Sequence, residues 1–321
     1  MEPEALTTPR ELSAAGGLDP LLRDRFVLPL LQRLVALRRQ ADGADGRLPL
    51  IALNGPVGAG KSTLGRRIEA LAPAFGLRLV AASIDDLYLP WPERMRRLAG
   101  NPFGVSRVPP GSHDLPLLLE ALERWRRCGE LRLPRFDKTL AGGRGDRDGW
   151  RCQPCDALVL EGWLMGCRPL PAERLEEAIA AASRPQGEAV GGEGATLTTP
   201  GAPRLSPREW SWLPHWNREL EAYLPLWRWV DGLWLLRPVH WGLPRRWRFQ
   251  AEARQRRNGG GWLRGADLEA LVRSSLCSLP PELYQLPLAA EAEALALLDG
   301  RRRCGDVWLQ PSPSLSSSAT G

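Results

Sequence analysis

Short apolar runs alternate with amphipathic stretches along the chain, and this alternation predicts strands and helices in turn. Residues 48–53 form a continuous apolar run, as expected of a strand buried on both faces of a sheet. Residues 21–39 instead carry apolar side chains every three to four positions, which indicates an amphipathic helix. Strands are predicted at residues 48–53, 77–84, 156–162, 230–236 and 307–309. Helices are predicted at residues 21–39, 61–71, 115–127, 171–183, 208–222, 244–257, 265–277 and 288–299, with a turn at 258–261.

Strands and helices at this spacing predict an α/β fold, in which helices cover both faces of a mostly parallel sheet. We expect residues 1–46 to be an N-terminal segment with one amphipathic helix, and residues 47–310 to be the main domain. Residues 183–207 are rich in Gly, Pro, Ala and Thr, so a flexible insertion is predicted there. The polar, glycine-rich residues 135–148 are predicted to be a loop, and the Ser-rich residues 311–321 a disordered tail.

Composition narrows the classes of protein that the chain can belong to. The 321 residues contain no apolar stretch long enough to span a membrane, and the acidic N-terminus does not resemble a targeting peptide, so we expect a cytoplasmic protein. The net charge of +6 is compatible with nucleic acid, but the basic residues are dispersed and acidic small molecules explain the charge equally well. We therefore expect neither nucleic-acid nor membrane partners. Cys152 and Cys155 form a single C-x-x-C, which is either a metal or redox site or a surface loop with two thiols.

The pattern G-x-x-x-x-G-K-S at residues 55–62 is the most specific motif in the chain. It stands between a predicted strand and a predicted helix, where backbone N–H groups and the helix N-terminus bind a polyphosphate. Lys61 would neutralise phosphate oxygens, and the hydroxyl of Ser62 would bind Mg²⁺. A glycine-rich turn that merely ends the strand is the alternative. The predicted nucleotide site comprises Gly55, Pro56, Val57, Gly58, Ala59, Gly60, Lys61, Ser62 and Thr63.

Lysine is rare in this chain, and its positions are informative. Of 43 basic residues only Lys61 and Lys138 are lysines. Lysine is a compact point charge and arginine a wide planar fork, so a tight phosphate site does not exchange them freely. The presence of Lys61 in the motif therefore supports the phosphate-binding interpretation, and Lys138 becomes a second candidate site residue.

Acidic residues stand at the ends of the predicted strands at residues 77–84 and 156–162. Asp85 would lie at the sheet edge where ligands gather, and could accept a proton from a substrate hydroxyl, with Asp86 as the second choice. Capping of a following helix is the alternative role of this pair. Glu161 would lie beside the phosphate loop and could hold Mg²⁺, or it is simply an acid in a turn.

Charged loops and one basic helix supply the remaining candidates. Arg107, Arg135 and Lys138 could grip an anionic substrate, and His113 could bind a hydroxyl, although each alone could also be a solvated loop residue. A mobile helical lid can supply arginines to a transferring phosphoryl group, with a plain basic face as the alternative. The arginines of the predicted helix are Arg245, Arg246, Arg248, Arg254, Arg256 and Arg257.

Together these segments resemble the plant- and cyanobacterial-type D-glycerate 3-kinases, which are related to phosphoribulokinase, uridine kinase and pantothenate kinase. The resemblance covers residues 48–285 and is most specific at GSHD, RFDK and EGWLMG, which begin at Gly111, Arg135 and Glu161. Further matches are SIDDLY from Ser83, GRGDR from Gly143, WNREL from Trp216 and WRFQAE from Trp247. The chain departs from the family pattern at Leu87, Phe136 and residues 259–263.

The resemblance implies a P-loop NTPase fold with a small helical lid, and transfer of phosphate from ATP to D-glycerate with Mg²⁺, as in photorespiration. It implies Asp85, Lys61, Arg248 and Arg254 as catalytic residues, and Ser62 and Glu161 as metal ligands. The implied substrate site comprises Asp86, Tyr88, Arg107, His113, Asp114, Arg135, Asp137 and Lys138. A kinase for a nucleoside, pantothenate or ribulose 5-phosphate stays open as an alternative, as does a nucleotide-switched binding ATPase.

Overall fold

The structure, a computed structural model, describes residues 17–41, 47–183, 199–257 and 263–310. Its strands are β1 Leu50–Asn54, β2 Leu79–Ser83, β3 Glu130–Asp137, β4 Asp146–Pro154, β5 Ala157–Gly162, β6 Gly232–Pro238, β7 Ala294–Leu298 and β8 Cys304–Leu309. Within these ranges one sheet has the strand order β2-β5-β1-β6-β7-β8. Its pairs are parallel except the last, β7 with β8. The strands β3 and β4 form a separate antiparallel hairpin.

The first helix, α1, runs through Pro20–Leu22, the π-helical Arg23–Val27 and Leu28–Ala41. The other α-helices are α2 Lys61–Leu71, α3 Trp91–Arg97, α4 Leu115–Cys128, α5 Ala172–Ser183, α6 Pro207–Glu219, α7 Leu224–Trp227, α8 Leu243–Arg257 and α9 Gly265–Cys277. Single helical turns lie at Ala72–Phe75, Ile84–Leu87, Leu140–Gly143, Leu220–Tyr223, Pro281–Gln285 and Pro287–Ala290.

The central strand β1 is buried on both faces, and its side chains divide between two apolar cores. Leu50 and Ala52 pack in a core that includes Leu118 of α4. Ile51 and Leu53 face the opposite way, into a core that α1 and α2 cover. Successive strand residues point to opposite faces, so a continuous apolar strand serves both cores. The α/β fold with helices on both faces, predicted from the sequence, is confirmed.

Two predicted elements are wrong. The predicted helix at residues 288–299 contains the strand β7 instead, because a short apolar run does not distinguish a helix from a strand by periodicity. The predicted loop at residues 135–148 includes the end of β3 and the beginning of β4. Its glycines lie in the connection, where Gly143 and Gly145 have positive φ, and this made the hairpin look like irregular chain.

Several predictions fall outside the described residues. These are most of the N-terminal segment, residues 184–198 of the insertion, the turn at 258–261 and the tail at 311–321. Across the part of the chain that the structure covers, no helix combines the length and apolarity that crossing a membrane requires.

Candidate active site

The phosphate loop connects β1 to α2 at the carboxyl edge of the parallel sheet. Gly58 and Gly60 both have positive φ, 79° and 94°, a conformation that glycine adopts without steric cost. Gly60 is the N-cap of α2, so the N-terminus of this helix lies at the loop. Backbone N–H groups in such a turn, together with the helix dipole, form a site for anionic phosphates.

Lys61 is held inside this loop. Its Nζ donates to the carbonyl of Pro56 at 3.1 Å and lies 4.0 Å from Oε2 of Glu161. Burial lowers the pKa of Lys61, while the negative charges of Glu161 and Asp85 act in the opposite direction. The ammonium is thus directed at the loop before any phosphate binds, and it is poorly solvated, which favours an anionic ligand.

Ser62 and Glu161 lie together, although they are far apart in the sequence. The hydroxyl of Ser62 donates to Oε1 of Glu161 at 2.6 Å. Glu161 is nearly fully buried near the end of β5. A hydroxyl and a buried carboxylate at the edge of a phosphate site are hard oxygen donors of the kind that Mg²⁺ prefers.

Asn54, the last residue of β1, fixes the segment that follows Glu161. Its fully buried amide donates to the carbonyls of Trp163 and Met165, at 3.2 and 2.6 Å. Its Oδ1 accepts from Nη1 of the buried Arg237 at 2.7 Å. The sequence analysis did not select Asn54, although a polar residue that closes a buried strand directly before the glycine motif is a usable signal.

Asp85 lies on the helical turn after β2 and contacts two donors. The hydroxyl of Tyr88 donates to Oδ1 at 3.0 Å, and Nζ of Lys138 donates to Oδ2 at 2.9 Å. Burial favours the neutral acid, but the positive charges of Lys138 and Lys61 outweigh it and hold the pKa of Asp85 well below its ordinary value. Asp85 is therefore ionised at neutral pH, the state that a proton acceptor requires.

One cleft of about 670 Å³ joins the phosphate loop to Asp85. This shared cleft places a phosphate donor site and a proton acceptor within reach of the same substrate. The predicted site residues that line it are Val57, Gly58, Ala59, Gly60, Lys61, Ser62, Thr63, Asp85, Tyr88, Arg107, Lys138, Glu161, Arg248 and Arg254.

Four residues predicted to bind substrate lie elsewhere. Asp86 and Arg135 line a second groove of about 230 Å³. Asp114 caps α4 through the N–H of Leu117 and pairs with Arg147 at 2.7 Å, and Asp137 accepts from Thr139. Arg135 lies at an irregularity of β3 between Pro134 and Phe136, and Lys138, which reaches the cleft, lies beyond the end of the strand. Asp86, Asp114, Arg135 and Asp137 therefore do not line the cleft in this arrangement.

His113 lies behind the cleft wall instead of on its surface. Its ring stacks on that of Tyr88 with centroids 4.6 Å apart, and its Nδ1 is 2.7 Å from the hydroxyl of Tyr223. Burial lowers its pKa to about 4, so the ring is neutral at physiological pH. His113 supports Tyr88 and, through it, Asp85, and it is not among the residues that line the cleft.

The basic helix α8 packs directly on the phosphate loop. A Cβ on Gly58 would stand 2.8 Å from the backbone nitrogen of Arg248 and 2.9 Å from Cβ of Trp247. Arg248 pairs with Glu252 at 3.0 Å, while Arg245 points outward to Glu269. Of the helix's arginines, Arg248 and Arg254 line the cleft, the two that the resemblance implied.

Arg302, in the turn between β7 and β8, is a site residue that the sequence analysis missed. Its guanidinium donates to the carbonyls of Gly58 and Trp247, both at 2.7 Å, and so ties the phosphate loop to α8. Nothing in its sequence context distinguishes it from the 40 other arginines of the chain. Its role follows only from the packing of β7 and β8 against the loop.

Comparisons with known proteins agree with this geometry. No protein-family profile matches the chain. The chain is 29% identical over 275 residues to the chloroplastic D-glycerate 3-kinase of Arabidopsis thaliana. The match covers 80% of this chain and 54%, about half, of the length of that relative. The chain is 26% identical over 234 residues to an uncharacterized kinase of Schizosaccharomyces pombe, covering 70% of this chain and 76% of that one.

A solved structure, the D-glycerate 3-kinase from Cryptococcus neoformans, superposes with a TM-score of 0.71 at 24% identity. It covers 88% of this chain and 99% of that chain. The structural likeness shows that the chain has the same α/β fold as that kinase, and the predicted resemblance to the D-glycerate 3-kinases is confirmed.

Proposed function

We propose that the protein transfers the γ-phosphoryl group of ATP to a hydroxyl of D-glycerate, giving ADP and 3-phosphoglycerate. The observation that carries the proposal is the single cleft in which Lys61 of the phosphate loop and the ionised Asp85 both lie. The names of the similar proteins support the choice of substrate, and the choice of the 3-hydroxyl depends on them alone.

The phosphate loop binds and orients the nucleotide in this proposal. Its backbone and Lys61 hold the β- and γ-phosphates, and Arg248 and Arg254 reach the cleft from α8. Positive charge on both sides of the transferring group stabilises the negative charge on its oxygens in the transition state. The contact of α8 with Gly58 keeps these arginines beside the loop.

Ser62 and Glu161 are the residues that would hold Mg²⁺. Held there together with ATP, Mg²⁺ would supply positive charge against the negative charge that develops on the phosphate oxygens. The 2.6 Å contact between the two side chains keeps a hydroxyl and a carboxylate oriented toward the same point beside the loop.

Asp85 is the proposed general base. As the bond between the substrate oxygen and the γ-phosphorus forms and the bond between that phosphorus and the ADP oxygen breaks, the hydroxyl proton passes to the carboxylate of Asp85. A positioned base of this kind contributes a factor of about 10²–10⁴ in rate. Arg107, nearly fully buried in the cleft wall, supplies positive charge for the substrate carboxylate.

The test is release of ADP from Mg-ATP with D-glycerate by the wild type, Lys61→Ala and Asp85→Asn. We expect glycerate-dependent turnover that Lys61→Ala abolishes and that Asp85→Asn lowers by at least about 100-fold, with nucleotide binding retained in Asp85→Asn. Wild-type turnover of another alcohol but not of glycerate would reject the substrate and keep the kinase. Absence of alcohol-dependent turnover would reject phosphoryl transfer and favour a nucleotide-switched binding protein.

A further inference from the structure

Both carboxylate oxygens of Asp85 are engaged in the structure. Tyr88 donates to Oδ1 and Lys138 to Oδ2, at 3.0 and 2.9 Å. A general base must come within about 2.6–3.2 Å of the hydroxyl whose proton it takes. An ammonium at that position competes with the incoming hydroxyl and also withdraws charge from the acceptor. Each carboxylate oxygen keeps a second lone pair, so a hydroxyl can approach Asp85 as it stands, but Asp85 is a stronger and more accessible acceptor once one of the two donors has left.

The two donors differ in how firmly they are held. Tyr88 is 1% exposed and stacks on His113, which is itself 2.7 Å from the hydroxyl of Tyr223. The side chain of Lys138 is 54% exposed and stands just beyond the end of β3. Lys138 has a flexible stem with three donors on a freely rotating head, so it can leave while Tyr88 stays.

Lys138 is also a cleft cation that an anionic ligand can recruit. Arg248 is paired with Glu252, and Arg107 donates to the carbonyl of Arg144 at 3.0 Å. Lys138 is paired with the base itself, and its side chain is more than half exposed. A carboxylate that enters the cleft therefore offers Lys138 an equivalent partner.

We propose that Lys138 determines specificity for hydroxy acids: the substrate carboxylate draws its ammonium away from Asp85 and frees Oδ2 to accept the hydroxyl proton. An uncharged alcohol has no group to exchange for the carboxylate of Asp85, so the ion pair persists and Asp85 stays the weaker base. This inference rests on the proposed phosphoryl transfer, and it names the chemical class that the same site accepts.

The charges around Asp85 favour such an exchange. The groups that act on it are Lys61, Tyr88, His113, Lys138, Asp86 and Arg107. Burial raises the pKa of Asp85, and the ammonium of Lys138 is the largest of the effects that lower it. When Lys138 turns to the substrate, the pKa of Asp85 rises, because the burial effect is then less opposed. Departure of Lys138 thus makes Asp85 both accessible and more basic.

The experiment compares D-glycerate with its uncharged amide, D-glyceramide, as phosphate acceptors at saturating Mg-ATP. The variants are Lys138→Met, which keeps the length but removes the charge, and Lys138→Arg, which keeps the charge. We expect Lys138→Met to lower kcat/KM for D-glycerate by about 10- to 100-fold, the range for one charged hydrogen bond, and to raise kcat/KM for D-glyceramide. Lys138→Arg should retain most of the preference for the acid.

A pH profile separates this role from a structural one. In Lys138→Met the acid limb of kcat/KM should move to higher pH, because Asp85 has lost the charge that lowers its pKa. Equal losses on both acceptors with an unmoved acid limb would overturn the proposal, as would a wild type that prefers uncharged alcohols. If another hydroxy acid replaces glycerate as the substrate and Lys138→Met impairs it selectively, the glycerate assignment fails and the role of Lys138 is supported.

Discussion

The cleft has two ends that are built in different ways. The phosphate end, residues 55–62 with Glu161, derives almost entirely from one continuous segment whose backbone shape is set by Gly58 and Gly60. The substrate end consists of Asp85, Tyr88, Arg107 and Lys138, which come from the turn after β2, from the loop before α4 and from the end of β3. The phosphate end is therefore a backbone structure, whereas the substrate end is an assembly of side chains.

This difference determines what each end tolerates. A backbone site depends on conformations and close contacts that only glycine permits, so one added methyl group disturbs it. A side-chain site depends on which residues of a strand face the cleft, so the same substitution has large or small effects according to position. Variants at matched pairs of residues can test both statements.

Gly58→Ala is expected to have the largest effect, with Gly76→Ala as its matched control. Both glycines have positive φ, 79° and 70°, so both substitutions cost about 1–2 kcal/mol of folding free energy. A Cβ at Gly58 would also stand within 3 Å of Trp247 and the backbone of Arg248, whereas at Gly76 it would meet nothing within 4 Å. Only Gly58→Ala should weaken ATP binding, by roughly 100-fold, because the loop and α8 must separate.

Thermal unfolding and titration with ATP separate the two contributions. A loss of melting temperature in both variants, larger in Gly58→Ala because of its clash with α8, and weakened ATP binding in Gly58→Ala alone are the expected pattern. Weakened ATP binding in both variants would mean that general destabilisation, and not the contact with α8, controls the phosphate end.

Arg107→Ala and Arg135→Ala test the substrate end. Both arginines were predicted from the sequence to grip the substrate, but Arg107 lines the cleft and the side chain of Arg135 is 65% exposed beside Asp148. Loss of a charged hydrogen bond to the substrate carboxylate should raise KM for D-glycerate by about 10- to 100-fold in Arg107→Ala. Arg135→Ala should stay within about twofold of the wild type, as expected of an exposed ion pair.

Steady-state kinetics give KM. Melting temperatures show how much stability Arg107→Ala loses with the hydrogen bond from Arg107 to the carbonyl of Arg144. A comparable rise of KM in Arg135→Ala would mean that the hairpin of β3 and β4 moves onto the cleft when substrate binds.

The same contrast explains how much the sequence could predict. The phosphate loop was predicted with its flanking strand and helix, because its function is local and a contiguous motif records it. At the substrate end the sequence identified the right segments but not the face: Lys138 lines the cleft while Arg135, three residues earlier, does not. The hairpin of β3 and β4 was predicted as a loop, so neither the irregularity at Arg135 nor the end of the strand before Lys138 could be predicted.

Contacts between distant segments were the least predictable. The hydrogen bond from Arg302 to the carbonyl of Gly58 depends on β7, which was predicted as part of a helix. With that strand absent from the prediction, the turn after it could not be placed beside the phosphate loop. The support of Tyr88 by His113 and Tyr223 likewise needs the packed structure, because residues 113 and 223 are 110 positions apart.

Asp86→Asn is expected to have the smallest effect, on stability alone. Burial and then the charge of Asp85 raise the pKa of Asp86 from 3.8 to about 6 in the folded protein. A carboxyl whose folded pKa is raised stabilises the fold below about pH 4, and this contribution is lost as the pH rises through 6. At pH 7 the ionised Asp86 therefore lowers the free energy of unfolding, and an asparagine of similar shape does not.

We expect Asp86→Asn to raise the free energy of unfolding by about 1 kcal/mol at pH 7 and by much less at pH 4, as denaturant titrations at the two values would measure. KM for D-glycerate should not change, since Asp86 lines the second groove and not the cleft. An equal gain at both pH values would show that the charge is not the cause. A raised KM would mean that Asp86 reaches the substrate after all, and that the substrate end extends to the far side of the turn that carries Asp85.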